Sequence, residues 1–494
     1  MRISLVLCAV ASIAFGATRV YPGLSTSGKR IEANFIEGAS SASPTIVLIG
    51  GMLGSDETSK FVTQEARTFE AQKPITRNFN LIAIPVANPD GTVLHFPPTG
   101  VAYRENAEAN ALWRWIALQG ADLVLIAGQD FGLANALSDN TVAGVGSIPA
   151  RVVPLKAGVL KTLPSLNASG AHIEMYRRRN LSAKLAAEGL AQAYGHTFNQ
   201  PIYTEGIALI GQLKLGNLAE VQKLAEPYVN GSKNPLARPS ALVMAGHLVF
   251  AELAEGTNDD RYKKLVLDAA NLGFNANGEM KESFPFHDDM SDSFFMTLPL
   301  LAKAGKLSGE KRYYEMLSRH FDFMTKLDLR PDGLYRHSPL TDAAWSRANA
   351  FPALGLTLAL SDLPKTDPAY DKILLAYRNL MSALARFQDE GGMWHEVIDE
   401  PGSYGETSAT SMIGYAMSRG VKNSWLDRAY QTRVEQAWKG VLGRISSDGT
   451  IIDVCESTNK QKTLADYLHR AALFEKDARG GAMALLFATE MAGL

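Results

Sequence analysis

His287, Asp288, Asp289 and Asp292 gather within six positions, immediately ahead of the apolar run Phe294 to Leu301. Carboxylates beside an imidazole can move protons or hold a divalent cation. A helix start favours carboxylates through its dipole, so Asp288 and Asp289 read as first-turn capping groups. Asp292 reads differently. Ser291 and Ser293 are better caps, and Phe294, Phe295 and Met296 surround its carboxylate with apolar bulk. Partial desolvation there keeps a proton available for general acid work. A second stretch, DGLYRHSPLTDAAWSRANAF, sets His337 in a loop and Trp345, Arg347 and Asn349 at a helix start. Arg347 can grip a carboxylate in bidentate fashion, Trp345 offers a stacking face and Asn349 offers amide hydrogen bonds, which are the groups an acidic sugar needs. A third stretch, GGMWHEVIDEPGSYGETSATSM, crowds Trp394, His395, Glu396, Tyr404, Glu406 and Thr407 ahead of a helix rich in small residues.

Helices must position these residues. After Ala171 the chain is a succession of amphipathic segments with apolar residues at three and four spacing. Tyr262, Tyr313, Tyr370 and Tyr430 each follow a polar turn and open an apolar helix, at intervals of 51, 57 and 60 residues. Each interval fits one helix pair. Long, variable intervals suit helix pairs closed into an (α/α)6 barrel better than an open solenoid. The three polar stretches would then precede successive inner helices and face one another across one mouth. Ahead of this, from Pro44 to about Val153, short β-branched runs such as TIVLIGG and ADLVLIAG alternate with helix-compatible stretches. That texture predicts a small α/β domain on a parallel sheet. The expected organisation is multidomain: an α/β domain over 17–155, a linker over 156–170 and the all-α (α/α)6 barrel over 171–494.

The order of these segments resembles the unsaturated rhamnogalacturonyl hydrolases of glycoside hydrolase family 105, to which the unsaturated glucuronyl hydrolases of family 88 are related in fold. The resemblance covers most of residues 171–494, and the ETSAT block from Glu406 to Thr410 is its most specific part. It implies a glycosidase that removes a 4,5-unsaturated uronic acid from the non-reducing end of lyase-generated oligosaccharides, with no metal and no cofactor. Matching FFM here to the family's pattern gives the catalytic acid's place to Asp292. By the same matching His337, Trp345, Arg347 and Asn349 take substrate-binding places, and Met296 and His395 are counted with them. The chain departs from the family where Met290 and Phe351 stand in place of tryptophan. KNPLARPSALVMAG, where a second acid is expected, contains none.

The first half carries a weaker likeness. LIGGMLGSDE, PVANPDG and ADLVLIAGQD are similar to the core of zinc carboxypeptidases, with the ligand positions falling near Leu53, Asp56 and Gly128. Two imidazoles are missing, which implies a degenerate, metal-free domain. GGMLGSDE lacks the Lys-Ser/Thr ending of a phosphate-cradling loop and reads as a plain strand-to-helix turn.

Charge and cysteine content bound the rest. With 49 Lys+Arg against 51 Asp+Glu, the net charge of −2 supplies no field for nucleic acid or an anionic membrane. Met1 to Gly16 has an early Arg2, a short apolar run and small residues at its end, so a signal peptide and export to the periplasm or the extracellular space are expected. Cys8 falls inside it, which leaves Cys455 without a disulfide partner. No later stretch reaches the roughly 20 apolar residues of a spanning helix. Two other classes fit parts of the pattern: Asp288, Asp289 and Asp292 have the DDxxD spacing of Mg²⁺-dependent helical isoprenoid synthases, and the altered platforms suit a carbohydrate-binding protein with a degenerate site.

Overall fold

The computed structural model describes residues 16–139 and 145–494, so the signal-peptide reading falls almost wholly outside the described residues. The chain divides into two compact units.

The first unit, residues 1–98 and 111–173, is built on a six-stranded sheet in the order β1-β2-β4-β3-β5-β6. Its strands are β1 (Thr18–Leu24), β2 (Arg30–Ile36), β3 (Thr45–Ile49), β4 (Asn80–Ile84), β5 (Leu123–Ala127) and β6 (Ala150–Val153). The expected parallel part is present: Val47 of β3 registers with Ile82 on one side and Val124 on the other. Strands β4 and β5 are buried along their whole length, as continuous apolar runs in a covered parallel sheet should be. The sheet is nevertheless mixed. β1 and β2 form an antiparallel hairpin whose second strand pairs antiparallel with β4. Asp56 accepts the N–H groups of Thr58 and Ser59 and caps the helix Glu57–Glu70. The glycines before it let the strand approach that helix. A Cβ on Gly50 would lie 2.6 Å from the Thr58 carbonyl oxygen.

The second unit holds residues 99–110 and 174–494. Sequence texture had kept 99–110 with the strands, but the segment packs through its side chains on residues far along the chain. Six helices are buried nearly all round: Tyr203–Lys214, Ala241–Gly246 continued by Leu248–Thr257, Ser293–Ser308, Ser346–Asp362, Thr407–Lys422 and Ala478–Met491. Each contacts the next in this order, and the last returns to the first, closing a ring. The intervening helices Leu218–Val229, Asp260–Ala270, Lys311–Asp328, Tyr370–Ala385 and Tyr430–Leu442 bury one face only. The four repeated tyrosines all fall in the first turn of such one-faced helices, which is why their spacing counts helix pairs. Among the described residues no helix is long and apolar enough to cross a membrane.

The Ser293 and Ser346 helices approach closely. A Cβ on Gly355 would sit 2.4 Å from the Phe294 carbonyl oxygen, with backbone rather than a movable side chain in the way. Gly355→Ala should therefore push the start of the Ser293 helix away from the middle of the Ser346 helix and destabilise the unit by about 1–3 kcal/mol. Thermal unfolding should show a lower Tm, whereas Gly256→Ala, with open space at its Cβ, should not lower it.

Candidate active site

Asp292, Trp345 and Glu406 are the N-cap residues of three successive ring helices, so the three polar stretches do converge on helix entrances. Only Glu406 caps its own helix, accepting from the Ala409 N–H. Asp292 makes no side-chain cap. Its side chain keeps 18% of its exposure, and Oδ1 lies 3.3 Å from His337 Nε2.

Two serines hold this carboxylate in place, neither by capping. Pro352 inside the Ser346 helix has no N–H, which leaves the Ala348 carbonyl four residues earlier without its helical donor. Ser291 Oγ donates to that carbonyl at 2.9 Å, and the Ser291 N–H donates to the His337 carbonyl at 3.1 Å. Ser293 Oγ is engaged one helix away, 2.8 Å from His320 Nε2. Asp288 and Asp289 do not cap either. Their φ angles of 48° and 53° put them in a left-handed turn before the helix begins, where Asp289 Oδ1 lies 3.3 Å from His287 Nδ1.

His337 is fully buried, with Nδ1 2.8 Å from the Tyr467 hydroxyl. The Gln461 N–H donates to that hydroxyl oxygen, so the Tyr467 proton is free to go to Nδ1. The matching tautomer carries its proton on Nε2, toward Asp292. Tyr467 lies in a segment without motif character, and nothing in the sequence marked it.

The remaining expected binding residues turn inward. Trp345 is 1% exposed, its indole packed against His337 at 4.5 Å and under the Arg347 guanidinium at 4.6 Å. Its Nε1 donates to Glu396 Oε1 at 2.9 Å. Arg347 gives Nη1 to the Cys455 carbonyl and Nη2 to the Glu456 carbonyl, each at 2.8 Å, with Glu406 Oε1 at 3.6 Å. Its fork is committed to the strand β7 (Ile451–Cys455) and the residue after it, not open to a ligand. The Asn349 amide is also filled. It accepts from the Tyr335 N–H and donates to the Tyr335 and Trp345 carbonyls, bracing the loop that carries His337. Met296 lies in the apolar core one turn beyond Asp292. His395 Nε2 is 3.2 Å from Asp389; burial opposes its charge, but the carboxylate holds the imidazolium above the ordinary histidine range.

Buried acids surround this frame. Glu396 is fully enclosed, accepts from Trp345 Nε1 and from Cys455 Sγ at 3.0 Å, and has Glu406 as a like-charged neighbour. Burial first, then Glu406, push its carboxyl up to about 8. Burial likewise raises the Cys455 thiol, which keeps the proton it donates. Asp328, at the end of the Lys311–Asp328 helix, is buried with neither oxygen hydrogen-bonded, and burial together with the charges of Asp289 and Asp292 pushes it up to about 8 although Arg336 opposes the rise. The position of Asp328 at a helix end, outside all three stretches, gave no signal.

A closed ring of helices carries a partly exposed carboxylate at one helix entrance, backed by an imidazole and a buried acidic frame, which places the chain among helical-ring folds. The chain belongs to Glycosyl Hydrolase Family 88, whose sequence pattern it matches over residues 187–494. It is 30% identical over 186 residues to the unsaturated rhamnogalacturonyl hydrolase YesR of Bacillus subtilis (strain 168), covering 36% of this chain and 52% of that protein. It is 31% identical over 113 residues to the unsaturated 3S-rhamnoglycuronyl hydrolase of Formosa agariphila, covering 22% and 29%. The chain thus spans about half the length of the first relative and less than a third of the second. Among solved structures, a possible family 105 member from Salmonella enterica aligns over 69% of this chain and 100% of its own, with a TM-score of 0.53 at 22% identity. A family 88 glycosyl hydrolase from Bacteroides vulgatus aligns over 64% and 100%, with a TM-score of 0.54 at 14% identity. These likenesses establish a shared fold.

Ser291→Ala should strand the Ala348 carbonyl and loosen Asp292, costing about 1–3 kcal/mol in calorimetric stability. Glu396 gives a pH signature. Its folded-state proton affinity exceeds that of the unfolded chain, so its stabilising contribution is complete at acid pH and is lost as pH rises from the ordinary carboxylate range toward 8. Asp328 acts with the same sign. Urea unfolding between about pH 5 and pH 8 should therefore show stability falling with pH; Glu396→Gln should reduce that slope, and adding Asp328→Asn should reduce it further.

Proposed function

We propose that this protein is an exported glycosidase, built on an (α/α)6 barrel, that removes a 4,5-unsaturated uronic acid from the non-reducing end of oligosaccharides produced by polysaccharide lyases. The observation that carries this reading is the isolation of Asp292. Of the residues matched to the family's site, it alone keeps substantial exposure, while the others are buried and braced behind it. The named activities of the two relatives supply the substrate class.

A single acid is sufficient for this chemistry. Ordinary glycosidases flank the bond with two carboxylates. An unsaturated uronate already contains an enol ether, so protonation of C4 by Asp292 places positive charge at C5, where water adds and gives its proton back to the carboxylate. The hemiketal opens and the bond to the next sugar breaks. His337, with its proton on Nε2, stabilises the carboxylate that forms after proton transfer. Arg347 and Trp345 serve as the rigid backing of that pair rather than as the grip on the uronate carboxylate. Pre-set geometry of this kind is worth several kcal/mol to a proton transfer.

The test is the ultraviolet absorbance of the unsaturated uronate in lyase digests of rhamnogalacturonan, ulvan and glycosaminoglycans. The absorbance should decay with at least one digest. Asp292→Asn should lower kcat by about 10²–10⁴-fold with little change in substrate binding measured calorimetrically. Persistent absorbance with every digest would overturn the reading, and unaltered turnover in Asp292→Asn would overturn the assignment of the acid.

A further inference from the structure

Residues 99–110 lie between two stretches of the α/β unit in sequence, yet they group with the helical unit. Two consecutive side chains account for this. The Tyr103 ring stacks on Tyr404 at 4.5 Å and 15°, and its hydroxyl donates to Asp453 Oδ1 at 3.1 Å. Arg104 Nη2 donates to the Glu456 carboxylate, and its Nε donates to the His469 carbonyl at 3.4 Å. Asp453 and Glu456 flank Cys455. This is the stretch on which Arg347 spends both terminal nitrogens and from which Cys455 Sγ reaches Glu396. Tyr404, for its part, belongs to the apolar cluster that includes Trp345, Tyr467 and Cys455, and Tyr103 packs against that cluster.

The backbone of this segment is not in its preferred conformation. Tyr103 has φ 60° and Asn106 φ 48°, a left-handed region that disfavours side chains with a Cβ. Such residues persist where surrounding contacts over-determine them. The segment also lies more than 70 residues ahead of the family match, which begins at residue 187. The contacts are therefore an addition to the part of the chain that carries the family pattern.

We infer that residues 99–106 form a strap that completes the hydrolase entrance from outside the family's own stretch, with Tyr103 and Arg104 as positioning residues. Tyr103 acts through Tyr404 and Asp453, and Arg104 acts through Glu456. Arg444 and Arg470 also hold Asp453 and Glu456, and the two strap residues add a second brace to the 453–456 stretch, where the Cys455 and Glu456 carbonyls seat Arg347, whose guanidinium covers Trp345, whose indole backs His337 beside Asp292. Neither strap residue touches a reacting atom. The effect on turnover rests on the proposed hydrolysis; the effect on packing does not.

Cys455 lies at the centre of this chain of contacts, fully buried, and serves as a reporter independent of substrate. The experiment uses the full chain and its Tyr103→Ala/Arg104→Ala variant, with Tyr103→Phe and Arg104→Lys as conservative controls. Native-state alkylation is resolved by peptide mass, so Cys455 is read separately from Cys8. The double variant should remain folded, label Cys455 at least tenfold faster, and lose at least tenfold in kcat with a smaller change in KM. Tyr103→Phe keeps the stack and should recover most of both losses. Wild-type labelling in the folded double variant overturns the strap, as does a kcat that falls only in step with Tm. If the wild-type chain turns over no unsaturated uronyl substrate, the hydrolase reading fails and the labelling ratio alone decides the strap.

Discussion

The placement of Asp292 depends on a hydrogen bond that exists because another was deleted. Pro352 cannot donate to the Ala348 carbonyl, and a buried carbonyl without a donor is costly. Ser291 supplies the donor from the neighbouring segment, and its own N–H is taken by the His337 carbonyl. One residue thus joins the start of the Ser293 helix to the Ser346 helix and to the histidine loop. Gly355 allows the two helices to approach closely enough for this bond to form. The carboxylate that follows Ser291 has no latitude to turn and cap its own helix, and it is left facing His337.

Behind that pair stands a buried charge cluster whose members would be unfavourable alone. Removing an arginine and a carboxylate from water costs several kcal/mol for each ion unless partners replace the solvent. Here Arg347 receives two main-chain carbonyls and the Glu406 carboxylate, while Glu406 also accepts from the Cys455 N–H and the Ser408 hydroxyl. Glu396 is the member least compensated by positive charge, which is why burial and Glu406 raise it so far. A cluster of this sort has one satisfied arrangement. It converts distant pieces of chain, at 345–347, 394–406 and 451–456, into a single rigid wall.

The distinction between architecture and contact explains what could be read in the amino-acid sequence. Tyrosine spacing and three-four periodicity report helix pairs because burial of one helical face is a local property, and so the ring was legible. Asp292 could be singled out because its apolar neighbours are adjacent in the chain, and its place at a helix entrance beside His337 is what the structure adds. Arg347 was legible as a guanidinium but not as an occupied one, since the carbonyls that occupy it lie 108 and 109 residues further on. The stacking face expected of Trp345 is taken for the same reason. Asp288 and Asp289 misled because a carboxylate near a helix start suits either a cap or a tight turn, and only the left-handed φ angles separate the two.

Near-neutral net charge acquires a physical meaning from this arrangement. A chain with 49 basic and 51 acidic residues has no long-range field to draw in an anion, yet charge is not scarce at the site. It is spent internally. Asp328 and Glu396 are enclosed acids whose protons are held up to about 8, so near neutral pH each is largely uncharged and adds little repulsion toward an anionic ligand. Arg347 is neutralised by Glu406 and by carbonyl dipoles. Asp288 and Asp289 stay exposed in the turn ahead of the helix, and Asp292 is the partly exposed carboxyl group that faces His337. Of these acids only Asp292 is set against the buried imidazole of His337, so the enclosed frame, and not the charge of the surface, decides which carboxyl group is held in a fixed place.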